Sequence, residues 1–105
     1  TDRARADQGI AMNESIEVLH NQAASRFELA LEGALCRADY RREGSVLNVY
    51  HTEVPPALEG RGLASKLVGA VFDHARTHAL RVRPSCSYVR AWARRHPEVG
   101  DLLDA

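Results

Sequence analysis

Lysine is almost missing from this sequence of 105 residues: of its 14 Lys and Arg residues, all but Lys66 are arginine. The 14 acidic residues balance them, and the net charge is zero with neutral histidine. That balance argues against a dedicated nucleic-acid partner or an anionic membrane. Cysteine is scarce too. Cys36 and Cys86 are the only two, too few for a disulfide scaffold and in keeping with a reduced, cytoplasmic protein. No apolar run approaches the roughly 20 residues of a membrane span, and no secretory signal pattern opens the chain. Repeats and low-complexity tracts are absent. What is present is 45% hydrophobic content, enough for one core that buries roughly two-thirds of the unfolded surface.

Residues 1–14 are polar, Ala-rich and without a convincing period, which predicts a flexible tail. A single domain is expected over 15–105. Glu17 to Asn21 offers a short strand, and the run from Asn21 to Ser25 a turn. Arg26 to Glu32 alternates between polar and apolar residues until Gly33 interrupts it, and Ala34 to Arg41 alternates again as its hairpin partner. Glu43-Gly44 supplies the next turn, and Ser45 to Val54 a further strand. Pro55 and Pro56 cannot extend that strand. From Glu59 to His78, Leu63, Leu67, Val68, Val71, Phe72 and Ala75 recur at spacings of three and four on one helical face. Leu80 to Pro84 then forms a short strand, joined through the helix by a right-handed parallel crossover. Ser85 is placed to cap a second helix, Cys86 to Arg95, with Tyr88, Val89 and Trp92 as its stripe. His96-Pro97 ends it, and Glu98 to Leu103 makes a last short helix. The order β-β-β-β-α-β-α predicts an α+β fold, a mixed α/β sandwich with a mainly antiparallel sheet.

The stretch the rest serves is Val54 to Leu67, which joins a strand to a helix through a linker with two prolines and two glycines. The first N–H groups of a helix lack internal partners, and the macrodipole makes that end partly positive. Gly60 and Gly62 remove the Cβ atoms that would hold a phosphate away from those groups. Arg61 and Lys66 add full charges beside them. The run Glu59-Gly60-Arg61-Gly62-Leu63-Ala64 also resembles the acyl-CoA signature of the GNAT N-acetyltransferase superfamily, Arg/Gln-x-x-Gly-x-Gly/Ala. Glu59 departs from its first position, and Arg61 can supply the missing cation. With the later Pro84-x-Cys86-x-Tyr88 and Arg95-His96-Pro97, residues 16 to 103 resemble a small, stand-alone branch of that superfamily.

The resemblance implies a β-α-β unit that binds acetyl-CoA, with its pyrophosphate on the turn from Glu59 through Gly60, Arg61, Gly62, Leu63 and Ala64 to Ser65. It implies that Thr52 and Val54, on the strand before the loop, pair with the pantetheine arm as a peptide adds to a sheet edge. It also implies transfer of the acetyl group to an amine acceptor, a protein or a small molecule. The alternative is a non-catalytic module that binds CoA or acyl-CoA and reports on it. A monomer or weak dimer is expected.

Four residues are candidates for chemistry. Cys86 opens the second helix, where the dipole favours a thiolate, and in the superfamily the acyl group lies beside that strand end. It reads either as an acyl-accepting nucleophile or as a small buried hydrophobe. Tyr88 reads either as the acid that protonates departing CoA, a role implied by the resemblance, or as a core tyrosine. His51 and Glu53 share one face of their strand, with Thr52 on the other. Either can serve as the base that frees the amine, or both are a solvated strand end; His51 has the reference pKa nearer neutrality. Cys36, mid-strand, is expected in the core. Arg90, Arg94 and Arg95 either reach the 3′-phosphate of CoA or form a solvated helix face. His20, His74 and His78 are read as scattered, with no metal site.

Overall fold

Alternation in the first half of the chain does become sheet. In the computed structural model, which describes residues 16–104, the strands are β1 (Leu19–Asn21), β2 (Arg26–Leu31), β3 (Ala34–Glu43), β4 (Val46–Glu53) and β5 (Arg81–Pro84). The tail expected at 1–14 lies outside the described residues. The strands lie in sequence order, antiparallel from β1 to β4, with β5 parallel to β4. Phe27, Leu29, Cys36, Ala38, Tyr40, Leu47 and Val49 point inward and are buried. Their neighbours Arg26, Glu28, Arg37 and Asp39 take the opposite face and pair there. β1 is shorter than the sequence suggests, because Glu17 and Val18 find no partner on β2.

One feature of β4 escapes the alternation. Tyr40 pairs with Val49, but Asp39 pairs with His51, so Tyr50 is an extra residue opposite no partner. A bulge of one residue exchanges the two faces of all that follows. Leu47 and Val49 face the helices before it. After it Thr52, paired with Ala38, takes that face, while His51 and Glu53 take the other.

Two helices cover the inward face. α1 (Leu63–Thr77) buries Leu63, Leu67, Val68, Val71, Phe72 and Ala75, each large side chain contributing about 1.5–3 kcal/mol by leaving water. α2 (Ser87–Arg94) lays Trp92 flat on Phe72, centroids 5.3 Å apart. α1 begins four residues later than the sequence suggests. Pro56–Leu58 instead forms a 3₁₀ turn, and Gly60 (φ 84°) and Gly62 (φ 75°) are left-handed, which no helix can continue through. Ser85 does not cap α2: its hydroxyl donates to Asn48 Oδ1 at 2.6 Å, and Cys86 holds the cap position without a side-chain cap bond. The last helix is a 3₁₀ run, Pro97–Leu102. Beyond it Leu103 bridges Val82, and Asp104 N–H donates to Val82 O, closing the outer edge of β5.

Candidate active site

The linker after β4 builds a backbone cradle. Leu58 is buried and anchors the 3₁₀ turn, and Glu59 then runs extended into the two left-handed glycines. Gly62 caps α1 and has no side chain to bond the first turn. Lys66 N–H is the first to find an intrahelical acceptor, Gly62 O at 3.1 Å. Among the described residues, the N–H groups from Gly60 to Ser65 have no acceptor. Bare N–H groups, the positive end of the helix dipole and missing Cβ atoms together suit an anion. These groups open on a cleft of about 360 Å³, lined by Thr52, Val54, Leu58, Glu59, Gly60, Gly62, Leu63, Ala64, Ser65 and Tyr88. Ser65 Oγ accepts from Trp92 Nε1 at 2.9 Å, which ties α2 to the first turn of α1.

Arg61 is not in that lining. Its guanidinium forks the Glu32 carboxylate at 2.8 and 3.3 Å, from the tip of the β2–β3 hairpin. That partner holds the Glu32 carboxyl below its usual range. Arg61 borders a neighbouring depression with Ile16, Ser65 and Lys66.

At the other end of the cleft the sheet splits. Pairing of β4 with β5 ends at Val49 and Pro84, and Cys86 N–H donates to Val49 O at 3.0 Å. Beyond that point β4 pairs with β3 alone. Thr52 Oγ1 lies 3.7 Å from Cys86 Sγ, and Tyr88, half-buried, shares the cleft wall with Thr52. The split therefore gathers Thr52, Cys86 and Tyr88 from two elements. Cys86 is a free thiol; Cys36, also free, is fully buried, and burial pushes its thiol up.

His51 and Glu53 emerge on the opposite face of the same strand. His51 Nε2 is 3.2 Å from Glu53 Oε1, and Arg37 approaches the same carboxylate at 3.2 Å. The His51 hydrogen bond and the Arg37 charge hold the Glu53 carboxyl below its usual range. Arg90 is spent locally, donating to Pro84 O and Ser85 O, while Arg94 and Arg95 are exposed. The role of Leu58 in the wall, and of Arg37 beside Glu53, went unread in the sequence. Leu58 is the one large apolar residue of its linker, which is a usable signal; Arg37 offers none without the strand register.

The histidines are not scattered. His20 stacks on Phe27 at 4.2 Å, meets the Tyr40 hydroxyl at 2.6 Å and packs edge-on to His74, which stacks on His78 at 4.1 Å. They gather because α1 crosses β2 and β3, a contact no sequence spacing announces. Among the described residues no three side chains stand in metal-ligand geometry.

Known proteins resemble this arrangement. A family model described as GCN5-related N-acetyl-transferase matches residues 26–102. The Xenopus tropicalis protein NATD1 is 33% identical over 86 residues, 79% of either chain, and human NATD1 is 32% identical over 85 residues, 78% of this chain and 75% of its own. The solution structure of a Staphylococcus aureus protein described as GCN5-like superposes with a TM-score of 0.68 at 27% identity, over 86% of this chain and 89% of that one. Fold, sequence and family model agree: this chain belongs to the GCN5-related N-acetyltransferase family.

Proposed function

We propose that the protein binds acetyl-CoA and transfers the acetyl group to an amine. The observation that carries this reading is one cleft that the bare N–H turn shares with Thr52, Val54 and Tyr88, the residues next to the β4–β5 split. The pyrophosphate would lie on Gly60 to Ser65, with Glu59 at the rim and Arg61 available once Glu32 releases it. The pantetheine arm would run along Thr52 and Val54 toward the split. Backbone N–H groups near Thr52 to Val54 would stabilise the oxyanion. A reducing, cytoplasmic setting fits the two free thiols.

Two routes are open; in the direct one the amine would approach from the open face of the sheet, where His51 and Glu53 lie. In direct transfer, the His51–Glu53 pair removes a proton from the ammonium, and the freed nitrogen pair attacks the thioester carbonyl. The C–N bond forms, the C–S bond breaks, and its pair leaves on the CoA sulfur, which takes a proton from the Tyr88 hydroxyl; the Tyr88 oxygen regains a proton from the second hydrogen that the new amide nitrogen sheds. In the covalent route, Cys86 Sγ attacks the thioester carbonyl, the CoA C–S bond breaks, and the thiol proton passes to the departing CoA sulfur. The neutral amine then attacks the new thioester, and Cys86 sulfur leaves with the proton that the nitrogen gives up. The 3.7 Å contact with Thr52 supports Cys86 as a neighbour of the acyl group.

Intact mass after incubation with acetyl-CoA, for wild type and Cys86→Ser, separates the routes. An acetyl adduct on wild type alone supports the covalent route. No adduct with tight CoA binding and amine acetylation supports direct transfer. Tight CoA binding without turnover on any amine leaves a CoA-binding module. No CoA affinity sinks the proposal.

A further inference from the structure

On the open face of the sheet, four side chains from two strands form one hydrogen-bonded chain. Arg37 stands opposite Glu53, and Asp39 opposite His51. Arg37 Nε donates to Asp39 Oδ2 at 3.1 Å, its Nη1 donates to Glu53 Oε2 at 3.5 Å, and its Nη2 is 3.2 Å from Glu53 Oε1. Glu53 Oε1 in turn meets His51 Nε2 at 3.2 Å. Exposure rises along the chain: the side chains are 15% exposed at Asp39, 31% at Arg37, 48% at Glu53 and 47% at His51. The inner members are therefore the fixed ones, and the outer pair hangs from them. Two further arginines border the chain but are otherwise engaged: Arg26, opposite Asp39, binds Glu28, and Arg41 lies over the Tyr50 ring.

The direction of the last hydrogen bond follows from charge. An ionised carboxylate only accepts, and the partners of Glu53 favour its ionised form. His51 Nε2 must then carry the hydrogen, and in the neutral ring the lone pair sits on Nδ1. A surface histidine without such a partner exchanges between both tautomers, so part of its time as a base would be spent with the wrong nitrogen free.

We propose that Arg37 is a positioning residue for acetyl transfer: it holds Glu53 from the neighbouring strand, fixes His51 as the Nε2–H tautomer, and leaves Nδ1 to take the acceptor's proton. The proposal rests on the direct-transfer reading above. In that step one N–H bond of the ammonium breaks, the hydrogen joins Nδ1 to give an imidazolium, and the electron pair stays on the amine nitrogen. Asp39 is the anchor on which Arg37 turns, and the Tyr50 bulge is what brings His51 and Glu53 to this face.

Nitrogen-15 shifts of the His51 ring in the ligand-free protein, at a pH where it is neutral, read the tautomer without any need for turnover. Wild type is expected to show Nε2–H in large excess. Arg37→Gln is expected to lower that excess to the ratio shown by the unfolded chain, and Arg37→Lys to restore most of it. Glu53→Gln, which keeps size and loses charge, is expected to match Arg37→Gln and serves as the second variant if that one folds poorly. An unchanged tautomer ratio in folded Arg37→Gln or Glu53→Gln overturns the proposal. CoA affinity measured by calorimetry on the same samples keeps its failure distinct: lost CoA binding in wild type sinks the acetyltransferase reading, whatever the tautomer.

Discussion

The two ends of α1 solve the same problem in opposite ways. Every helix end leaves backbone groups without internal partners. At the C-terminal end the protein supplies them: His78 N–H bonds His74 O at 3.0 Å, and Leu80 N–H bonds Ala75 O at 2.8 Å through a left-handed Ala79. The rings of His20, His74 and His78 then cover that end against Phe27 and Tyr40. At the N-terminal end Gly62 caps without a side chain, and the first N–H groups face a cleft. One end is sealed by the fold and the other is left open to the cleft. Binding and stability should therefore respond to different substitutions on a single helix.

The sharpest way to break this comparison is Gly62→Val. A Cβ there meets nothing within 4 Å, so the unliganded protein has room for it. The left-handed φ of 75° nevertheless strains any L-residue, by roughly 1–2 kcal/mol. The added methyls also stand where a phosphate would approach the N–H groups. Calorimetry should show CoA affinity falling by more than about tenfold, 1.4 kcal/mol, beyond whatever stability is lost. Unchanged affinity would remove the cradle from the proposal.

The sealed end should respond to acid. Burial first, then the charge of neighbouring histidines, pushes His20 and His74 below the ordinary imidazole value. Arg42 adds to the effect on His74, and Tyr40, Phe27 and His78 complete their surroundings. Well above pH 6.5 both rings are neutral, folded or unfolded, and contribute no pH dependence. As pH falls through 6.5 the unfolded chain takes up protons first, so stability declines until the folded rings also titrate. Urea midpoints should drop between pH 7.5 and 5.5, and His74→Gln should flatten that drop. A flat wild-type profile would mean that the cluster does not strain on protonation.

The contrast explains what the sequence made legible. The strand–loop–helix order around Val54 to Leu67 is local, and proline, glycine and helical period announce it. Much of the cleft wall, Glu59 to Ser65, belongs to that same local order, but Leu58 went unread, Arg61 turns away to Glu32, and Tyr88 comes from another element. The His20–His74 contact spans 54 positions and depends on where α1 crosses the sheet, so no window of sequence contains it. Ser85 was misread for a related reason. Its local preference for a helix cap lost to Asn48, a partner on another strand. The Tyr50 bulge left no signal at all, although it decides which face Thr52, His51 and Glu53 take.

Arg61 offers the finest test of the open end. Its position in the linker marks it for a phosphate, yet it forks Glu32, a left-handed residue (φ 53°) beside Gly33 in a two-residue hairpin turn. Turns with two left-handed residues favour Asn or Gly at the first site, so glutamate costs some strain there and returns a carboxylate to Arg61. If a phosphate competes with that carboxylate for Arg61, then Glu32→Gln frees the guanidinium and removes a repelling charge together. Both groups are exposed, and exposed pairs contribute roughly 0.2–1 kcal/mol. CoA affinity should therefore rise only about two- to fivefold, and the gain should shrink as salt is added. A fall in affinity would instead make Glu32 a support that holds Arg61 in place for the ligand. The open end would then be prearranged by the hairpin, as the sealed end is by its histidines.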